Sequence, residues 1–362
     1  MTLEQCWHRV PGGTAGAAIA LARELAHDPH LDVVGVAAAH RRPPPPDWRP
    51  PVAVRQLRLP RLALYEAWQV LRRPSVERAT GAVDVIHATA IAMPPRSAPI
   101  VFTIHDLAFL RFPEHFTRVG LRFFRRNLEL AKREADLVLC SSLATVAECG
   151  EAGFEPGRLR HVPLGVDAEA ADVADVERVR RAYTLERPYV LWAGTLEPRK
   201  NLARLLDAYG RLDAGVDLVL VGPRGWKEDL ERRLAALPGR ARRRVRLLGF
   251  VPRADLGPLY AGAAVFCFPS LLEGFGFPVL EAMAQGTPVV TSQGTSTEEL
   301  AGDAALLVDP RDPTAIAAAL ERVLTDADLR ARLRDAGPSR AAGYTWARSA
   351  QLVREAYREV AQ

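Results

Sequence analysis

Short apolar runs alternate with longer amphipathic stretches along the whole 362-residue chain, and this alternation restricts the fold more than any other feature. The apolar runs are continuous, as in strands that helices cover on both faces. Repeated strand-helix-strand order predicts parallel sheets with right-handed crossovers, and hence an α/β fold. The predicted strands are LDVVGVAAA, VDVIHATA, IVFTIHD and DLVLCSS in the first half, and YVLWAG, DLVLVG, VRLLGF, AVFCFPS and TPVVTS in the second.

The alternation is interrupted after HVPLGVD, which ends at Asp167, because a polar Ala/Asp/Glu-rich stretch precedes the next strand. A chain of this length is long enough for two domains, each with its own core. We therefore predict two doubly wound Rossmann-like domains, whose facing carboxyl strand ends form the expected ligand cleft. The segment before Pro11 is short and polar for a buried first strand, which indicates a late start or an unusual sheet edge.

Composition excludes several classes of protein. The net charge of +5 is too small to indicate a nucleic-acid-binding protein. No uncharged apolar segment approaches the roughly 18 residues that a membrane span needs, and the N-terminus does not resemble a signal peptide. The cysteines are scattered without a C-x-x-C pair, which favours a reducing compartment over a disulfide framework or a zinc site. The sequence therefore predicts a cytoplasmic protein.

The stretch PSLLEGFGFPVLEAMAQGTPVVTS places Glu273 and Glu281 on either side of a Gly-Phe-Gly-Phe-Pro bend. Pro278 and Gly286 are typical of the start and the end of a short helix after the bend. Glycines allow a ligand to approach the backbone, and the N–H groups of a helix start favour an anion such as a diphosphate. Glu281 could then bind a ribose diol and Glu273 sugar hydroxyls. An ordinary strand-to-helix turn, with a glutamate that complements the helix dipole, explains the spacing equally well.

A second element, VLWAGTLEPRKNLARLLDAY, is predicted to form a strand, a turn and a helix that is capped near Asn201. Gly194 allows close approach, and Arg199 and Lys200 lie just before the helix. The chain contains three lysines against 45 arginines, so a lysine at this position favours a binding role. A solvated surface charge is the alternative.

These motifs resemble those of a known family. EGFGFPVLEA is similar to the E-x7-E motif of retaining GT-B glycosyltransferases of family 4, and GTLEPRKN resembles their diphosphate-contacting loop. PGGTAG, VFTIHDLAFLRFPEHF and HVPLGVD resemble their N-terminal glycine loop, central His-Asp segment and interdomain passage, in the same order. The resemblance implies an acceptor-side domain at residues 1–168 and a nucleotide-sugar-binding domain at 169–344. It also implies a C-terminal helix, at about 345–362, that packs back on the first domain.

The resemblance assigns roles to individual residues. His105 would lie beside the donor sugar, Glu273 would bind its hydroxyls, and Arg199 and Lys200 would neutralise the departing diphosphate. The residues that would bind the donor, with the base against the Gly249–Pro252 backbone, are Gly12, Gly13, Gly194, Thr195, Gly249, Phe250, Val251, Gly274, Phe275, Gly276, Phe277 and Glu281. Many relatives carry arginine at the position of Thr195, so the resemblance implies a diphosphate clamp that is either weaker or dependent on Arg199.

The implied activity is retaining transfer of a hexose, with GDP-mannose as the leading donor, to a glycan or lipid-linked acceptor. No metal or cofactor is expected, because two cations and a helix N-terminus could each contribute roughly 3 kcal/mol to a transition state that already has a good leaving group. The DAD sequence at Asp326 is expected to cap a helix and not to bind Mg²⁺. A nucleotide-sugar epimerase and a non-catalytic binding protein stay open as alternatives.

Two further features have two interpretations each. His87, at the end of a predicted strand, suits a structural role and an acceptor-site role equally well. The segment RVGLRFFRRNLELAKRE carries six basic residues against two glutamates. It is either a core-packed helix with a solvated basic face or a surface that attracts anionic lipid or a lipid-diphosphate acceptor.

Overall fold

The fold was analysed in a computed structural model that describes residues 1–8, 11–167, 169–212, 215–223, 225 and 230–361. The chain forms two compact units. One comprises Met1–Gly165 together with Thr345–Gln362, and the other comprises Val166–Tyr344. All strand pairings within both units are parallel, and helices follow the strands, as the alternation in the sequence predicts.

The first unit contains two groups of paired strands, β1-β2 and β3-β4-β5-β6. Its strands are β1 (Gly35–Ala37), β2 (Val54–Gln56), β3 (Ile86–Ala88), β4 (Ile100–Ile104), β5 (Leu137–Cys140) and β6 (Leu159–His161). Its helices are α1 (Gly12–Ala26), α2 (Arg61–Val70), α3 (Glu77–Thr80), α4 (Ala108–Arg111), α5 (Arg118–Glu134) and α6 (Leu143–Glu151).

The first three residues connect these two groups of strands. The Leu3 amide donates to Val36 O in β1 at 2.8 Å, and the Thr2 amide donates to His87 O in β3 at 2.9 Å. The opening residues therefore lie inside the sheet rather than at its edge. They leave the sheet after Leu3, where a short 3₁₀ helix, Glu4–Trp7, begins.

The second unit is a single six-stranded sheet in the order β12-β11-β10-β7-β8-β9. Its strands are β7 (Tyr189–Ala193), β8 (Asp217–Val221), β9 (Val245–Gly249), β10 (Val265–Phe268), β11 (Val289–Ser292) and β12 (Leu306–Val308). Its helices are α7 (Val173–Ala182), α8 (Leu202–Tyr209), α9 (Leu230–Ala236), α10 (Gly239–Arg242), α11 (Arg253–Ala261), α12 (Phe277–Ala284), α13 (Ser296–Ala301), α14 (Pro313–Thr325) and α15 (Ala327–Ala341). This is the doubly wound Rossmann order, which reverses between β7 and β10.

The C-terminal helix, α16 (Trp346–Val360), belongs to the first unit. Its buried side chains Ala350, Val353 and Ala356 pack in one apolar cluster with residues of α1, β4 and β5. The Ser349 hydroxyl also donates to Pro163 O at 2.6 Å. The last stretch of sequence thus completes the core of the first domain.

Gly165 packs against the backbone of the first residue of α16, and this contact requires a glycine. A Cβ atom on Gly165 would lie 2.2 Å from the backbone nitrogen of Trp346, which is too close for any side chain. Gly157, in contrast, has no atom within 4 Å of the equivalent position.

We predict that Gly165→Ala lowers the free energy of unfolding by about 1–3 kcal/mol, because the backbone of α16 must move to accept the methyl group. The matched control, Gly157→Ala, should change it by less than about 1 kcal/mol. Urea unfolding of both variants measures the difference. Equal stability of the two variants would contradict this packing.

Candidate functional site

The candidate site of the second unit lies where its strand order reverses. The strands β7 and β10 are neighbours, and the segments that follow them are Gly194–Lys200 and Pro269–Gly276. Helices that leave neighbouring strands toward opposite faces of the sheet create a crevice at such a point, and ligands of α/β proteins bind there. The two sequence motifs singled out above are these two segments.

Lys200 and Glu273 form the centre of the site. The Lys200 ammonium lies 2.7 Å from both carboxylate oxygens of Glu273, and both side chains are buried. Arg199 Nη1 donates to Glu273 Oε2 at 3.1 Å, and the Ser270 hydroxyl donates to Oε1 at 2.6 Å. The structure therefore brings together three of the four predicted catalytic residues.

Glu273 is held as a carboxylate. Burial raises its pKa, but the charges of Lys200 and Arg199 and the hydrogen bonds from Lys200 and Ser270 outweigh burial and lower the pKa below its usual value. The stability that Glu273 contributes is present above the ordinary carboxyl pKa and is lost as pH falls through the lowered value. A second carboxylate, Glu197, pairs with Arg199 Nη2 at 2.8 Å.

Asn201 joins the two segments in a way that the sequence did not predict. Asn201 does occupy the N-cap position of α8, as predicted, but its side chain makes no capping bond to the helix. Instead Nδ2 donates to Pro269 O at 2.8 Å and to Pro310 O at 2.6 Å, and the backbone has a positive φ of 58°. The Leu271 amide and the Ser270 hydroxyl both donate to Arg199 O, which closes the same junction.

The bend after Glu273 requires glycine. Gly276 has φ of 114°, and a Cβ atom there would lie 2.9 Å from Thr297 Cγ2. The Ser296 hydroxyl is within 2.8 Å of the carbonyl oxygens of Glu273 and Phe275, so the carbonyls of the bend are turned toward the core.

Because the carbonyls of the bend point toward the core, its backbone N–H groups point away from the core. Within the described part of the chain, the N–H groups of Phe275 and Gly276 have no protein acceptor. The bend, which also contains Gly274, leads into α12 at Phe277. Free amides at a helix start are suited to an anion.

Glu281 is the fifth residue of α12 and is half-buried. Burial raises its pKa, although a hydrogen bond of 3.0 Å from the Tyr260 hydroxyl to Oε2 and the charge of Arg253 oppose this shift. The other carboxylate oxygen has no protein partner within the described residues. The two glutamates of the motif are thus held in opposite electrostatic settings.

The remaining donor-binding candidates of this unit are Gly194 and Thr195, which follow β7, and the Gly249–Val251 segment at the end of β9. Gly222 follows β8 and packs so closely on the Gly194 carbonyl that a Cβ atom would approach it to 1.9 Å. The Gly222 amide donates to Gly249 O at 2.7 Å, which ties the two glycines together. Thr195 is half-buried beside Gly194.

The segment after Gly249 combines a buried and an exposed side chain. Val251 is buried, whereas the Phe250 ring is 75% exposed. The family resemblance predicts that the base contacts the backbone of this segment. The exposed Phe250 ring provides an aromatic surface at the same place.

His105, Gly12 and Gly13 belong to the first unit. His105 follows β4, and its Nε2 contacts Thr89 O at 3.2 Å; because a carbonyl oxygen only accepts, Nε2 carries the proton. Burial lowers the pKa of this imidazole, which leaves Nδ1 unprotonated at neutral pH. Gly12 has φ of 64° at the start of α1, and both glycines are exposed.

Two residues outside the motifs have clear structural roles. His87 is buried, with Tyr357 Oη 2.7 Å from Nδ1 and Thr103 Oγ1 2.8 Å from Nε2, so an acceptor-site role is not supported. Burial lowers its pKa to about 3. Asp326 caps α15 by accepting from the Leu329 amide at 2.9 Å, as predicted.

Sequence reasoning missed Asn201, Ser270, Tyr260 and Ser296. Each acts on a partner that is distant in the chain or on a backbone carbonyl, and none is charged, although Asn201 and Ser270 lie within the two stretches quoted above. The proximity of Asn201 to the Arg-Lys pair was the one available signal.

Comparison with known proteins gives consistent matches. A family described as Glycosyl transferases group 1 matches residues 175–340, and Glycosyltransferase Family 4 matches residues 11–170. O-antigen chain mannosyltransferase B of Escherichia coli is 34% identical over 76% of this chain and 74% of its own length. D-inositol 3-phosphate glycosyltransferase of Acidothermus cellulolyticus is 30% identical over 94% and 84%. The crystal structure of Anabaena Alr3699/HepE in complex with UDP and glucose superposes with a TM-score of 0.77 at 22% identity, covering 97% of both chains.

We predict that Lys200→Met lowers the free energy of unfolding by about 3–5 kcal/mol, because it leaves a buried carboxylate without its main partner. Adding Glu273→Gln to this variant should restore part of the loss. Arg253→Met, which breaks a pair whose side chains are 71% and 60% exposed, is the control and should cost at most about 1 kcal/mol. Urea titrations of wild type, the two single buried variants, their double variant and the control measure these values, and additive effects of the two buried substitutions would contradict a direct pair.

Proposed function

We propose that this chain, which belongs to the glycosyltransferase family Glycosyl transferases group 1, transfers mannose from GDP-mannose with retention of the anomeric configuration. Its membership makes it a hexosyltransferase of GT-B fold that moves a sugar from a donor to an acceptor. The acceptor that we propose is a glycan or a lipid-linked glycan. An epimerase and a non-catalytic binding protein are not favoured, because the relatives named above are transferases.

One observation carries the site assignment. Lys200, Arg199 and Glu273 meet at the reversal of the strand order, beside the free amides of Phe275 and Gly276. In this proposal the cations and amides stabilise the negative charge that grows on the departing diphosphate, and Glu273 orients the sugar by its hydroxyls.

The nucleoside would bind along the neighbouring strands. Glu281 would accept from the ribose hydroxyls through its free carboxylate oxygen, and the base would lie against the Gly249–Val251 segment. Mannose is proposed because the E. coli relative is named a mannosyltransferase. His105, Gly12 and Gly13 lie in the first unit, and the roles that the family resemblance gives them stay predictions.

The proposed reaction needs no metal ion, since the leaving group is stabilised by protein charges. We expect purified protein to release GDP and transfer mannose from GDP-mannose in the presence of EDTA, with an α-linked product seen by NMR. Glu273→Ala should lower the rate by at least about 100-fold. The matched control, Glu321→Ala on the exposed face of α14, should retain the full rate. A full rate in Glu273→Ala would reject the site, and transfer from another donor would reject GDP-mannose.

We also propose that the protein works in the cytoplasm and contacts the inner face of an anionic membrane. In the part of the chain that the structure describes, none of the helices is both long and apolar enough to cross a bilayer. The contact would be made by α5, whose outer face carries an arginine stripe, defined as Arg118, Arg122, Arg125, Arg126 and Arg133. All five are exposed, and none has a protein partner within the described residues.

The surroundings of the arginine stripe favour this contact. Glu129, the acidic residue on the same face, pairs with Lys132 at 2.7 Å, and Val119 is 69% exposed beside the stripe. Basic side chains close to an anionic bilayer each contribute about 1 kcal/mol, and salt weakens the attraction.

We predict co-sedimentation with vesicles that contain phosphatidylglycerol but not with pure phosphatidylcholine vesicles, and release by 0.5 M salt. Replacing Arg122 and Arg126 with serine should weaken binding by about tenfold or more. The control replaces the exposed Arg242 and Arg243 with serine, which makes the same change in net charge elsewhere. Equal loss in both double variants would show that net charge, and not the stripe, causes the binding.

A further inference from the structure

The ionised side chains of the candidate site neutralise one another. Lys200 and Arg199 carry two positive charges, and Glu273 and Glu197 carry two negative charges within hydrogen-bond distance. Lys200, Glu197 and Glu273 are all buried. This cluster of four side chains therefore has no net charge with which to attract a diphosphate.

Glu273 occupies the donors that a diphosphate would need. Lys200 directs two of its three N–H groups at the two oxygens of Glu273, and Arg199 Nη1 contacts the same carboxylate. A phosphate that binds these cations must compete with Glu273 for them. Among the described residues, the Ser270 hydroxyl is then the remaining side-chain donor to the Glu273 carboxylate.

We propose that the donor exchanges partners with this site and that Glu273 thereby selects the sugar nucleotide over the nucleoside diphosphate. The diphosphate takes over Lys200 and Arg199, and the hexose hydroxyls replace them on Glu273. The inference rests on the proposed function.

Glu273 gains new hydrogen-bond donors in this exchange only when the sugar is present. A buried carboxylate without hydrogen-bond donors is strongly unfavourable, and sugar hydroxyls remove that cost. A nucleoside diphosphate brings phosphate without the hexose hydroxyls, and its ribose is assigned to Glu281, so it displaces the cations and offers Glu273 no donors in return. The spent nucleotide is thus bound more weakly than the donor, which favours its release after transfer.

Isothermal titration with GDP and GDP-mannose, and with UDP and UDP-glucose, tests this exchange in the full-length protein. Wild type should bind the nucleoside diphosphate about tenfold or more weakly than its sugar derivative, although the diphosphate carries the larger charge. Glu273→Gln removes the competing charge, so the diphosphate should bind more tightly than to wild type and the preference for the sugar nucleotide should disappear.

The matched control is Glu281→Gln in the same motif. Because Glu281 is assigned to the ribose, which both ligands share, this variant should weaken both ligands by the same factor and keep their ratio. If Glu273→Gln fails to fold, two other measurements test the proposal. They are the ratio of the affinities for the nucleoside diphosphate and the sugar nucleotide in wild type, and the same ratio in Glu273→Asp, whose shorter side chain loosens the contact with Lys200.

The outcomes separate two failures. If wild type binds none of the four nucleotides, the proposed function is rejected together with the exchange. If wild type binds them but shows no preference for the sugar nucleotide, or if Glu273→Gln weakens the diphosphate, the exchange is rejected and the glycosyltransferase assignment is unaffected.

Discussion

The ion pair of Lys200 and Glu273 is the interaction on which the rest of the site depends. The two residues are 73 positions apart in the chain, and each is buried. A buried charge is tolerated only with a partner of opposite sign at hydrogen-bond distance, so the segments after β7 and β10 are held in one relative position. Asn201 reinforces this position by binding the Pro269 carbonyl. The geometry of the candidate site is therefore a condition of the stability of this unit.

The location of the pair follows from the topology of the sheet. In the order β12-β11-β10-β7-β8-β9, the chain winds outward in both directions from the neighbouring central strands β7 and β10. At such a reversal of the strand order, the helices that follow the two strands leave toward opposite faces of the sheet. Their carboxyl ends can approach each other without an intervening helix. Gly276 and Gly222 then keep the backbone open, because a Cβ atom would meet Thr297 at the first position and the Gly194 carbonyl at the second. Topology selects the place, and glycine keeps it accessible.

Most of the fold could be predicted because continuous apolar strands and amphipathic helices are local patterns. The nine predicted strand segments, including YVLWAG and AVFCFPS, all contain strands of the structure. The site was predictable as far as motifs reach, which includes Arg199, Lys200 and both glutamates. What could not be predicted depends on tertiary partners. Asn201 looked like a helix cap, and His87 suited two roles, because the carbonyl and hydroxyl groups that they contact lie far away in sequence.

The use of lysine at position 200 has a physical reason in a chain that otherwise relies on arginine. The ammonium of Lys200 lies at the same distance, 2.7 Å, from both oxygens of Glu273, and 5.0 Å from the centre of the Phe268 ring. A compact cation fits between a carboxylate and an aromatic face, whereas a planar guanidinium needs room along its own plane. The neighbouring Arg199 already contacts the same carboxylate. An ammonium can also redirect its three N–H groups by rotation about one bond. In the proposed exchange, a cation of this kind can leave a carboxylate for a phosphate, whereas a rigid fork of donors would hold Glu273 in place.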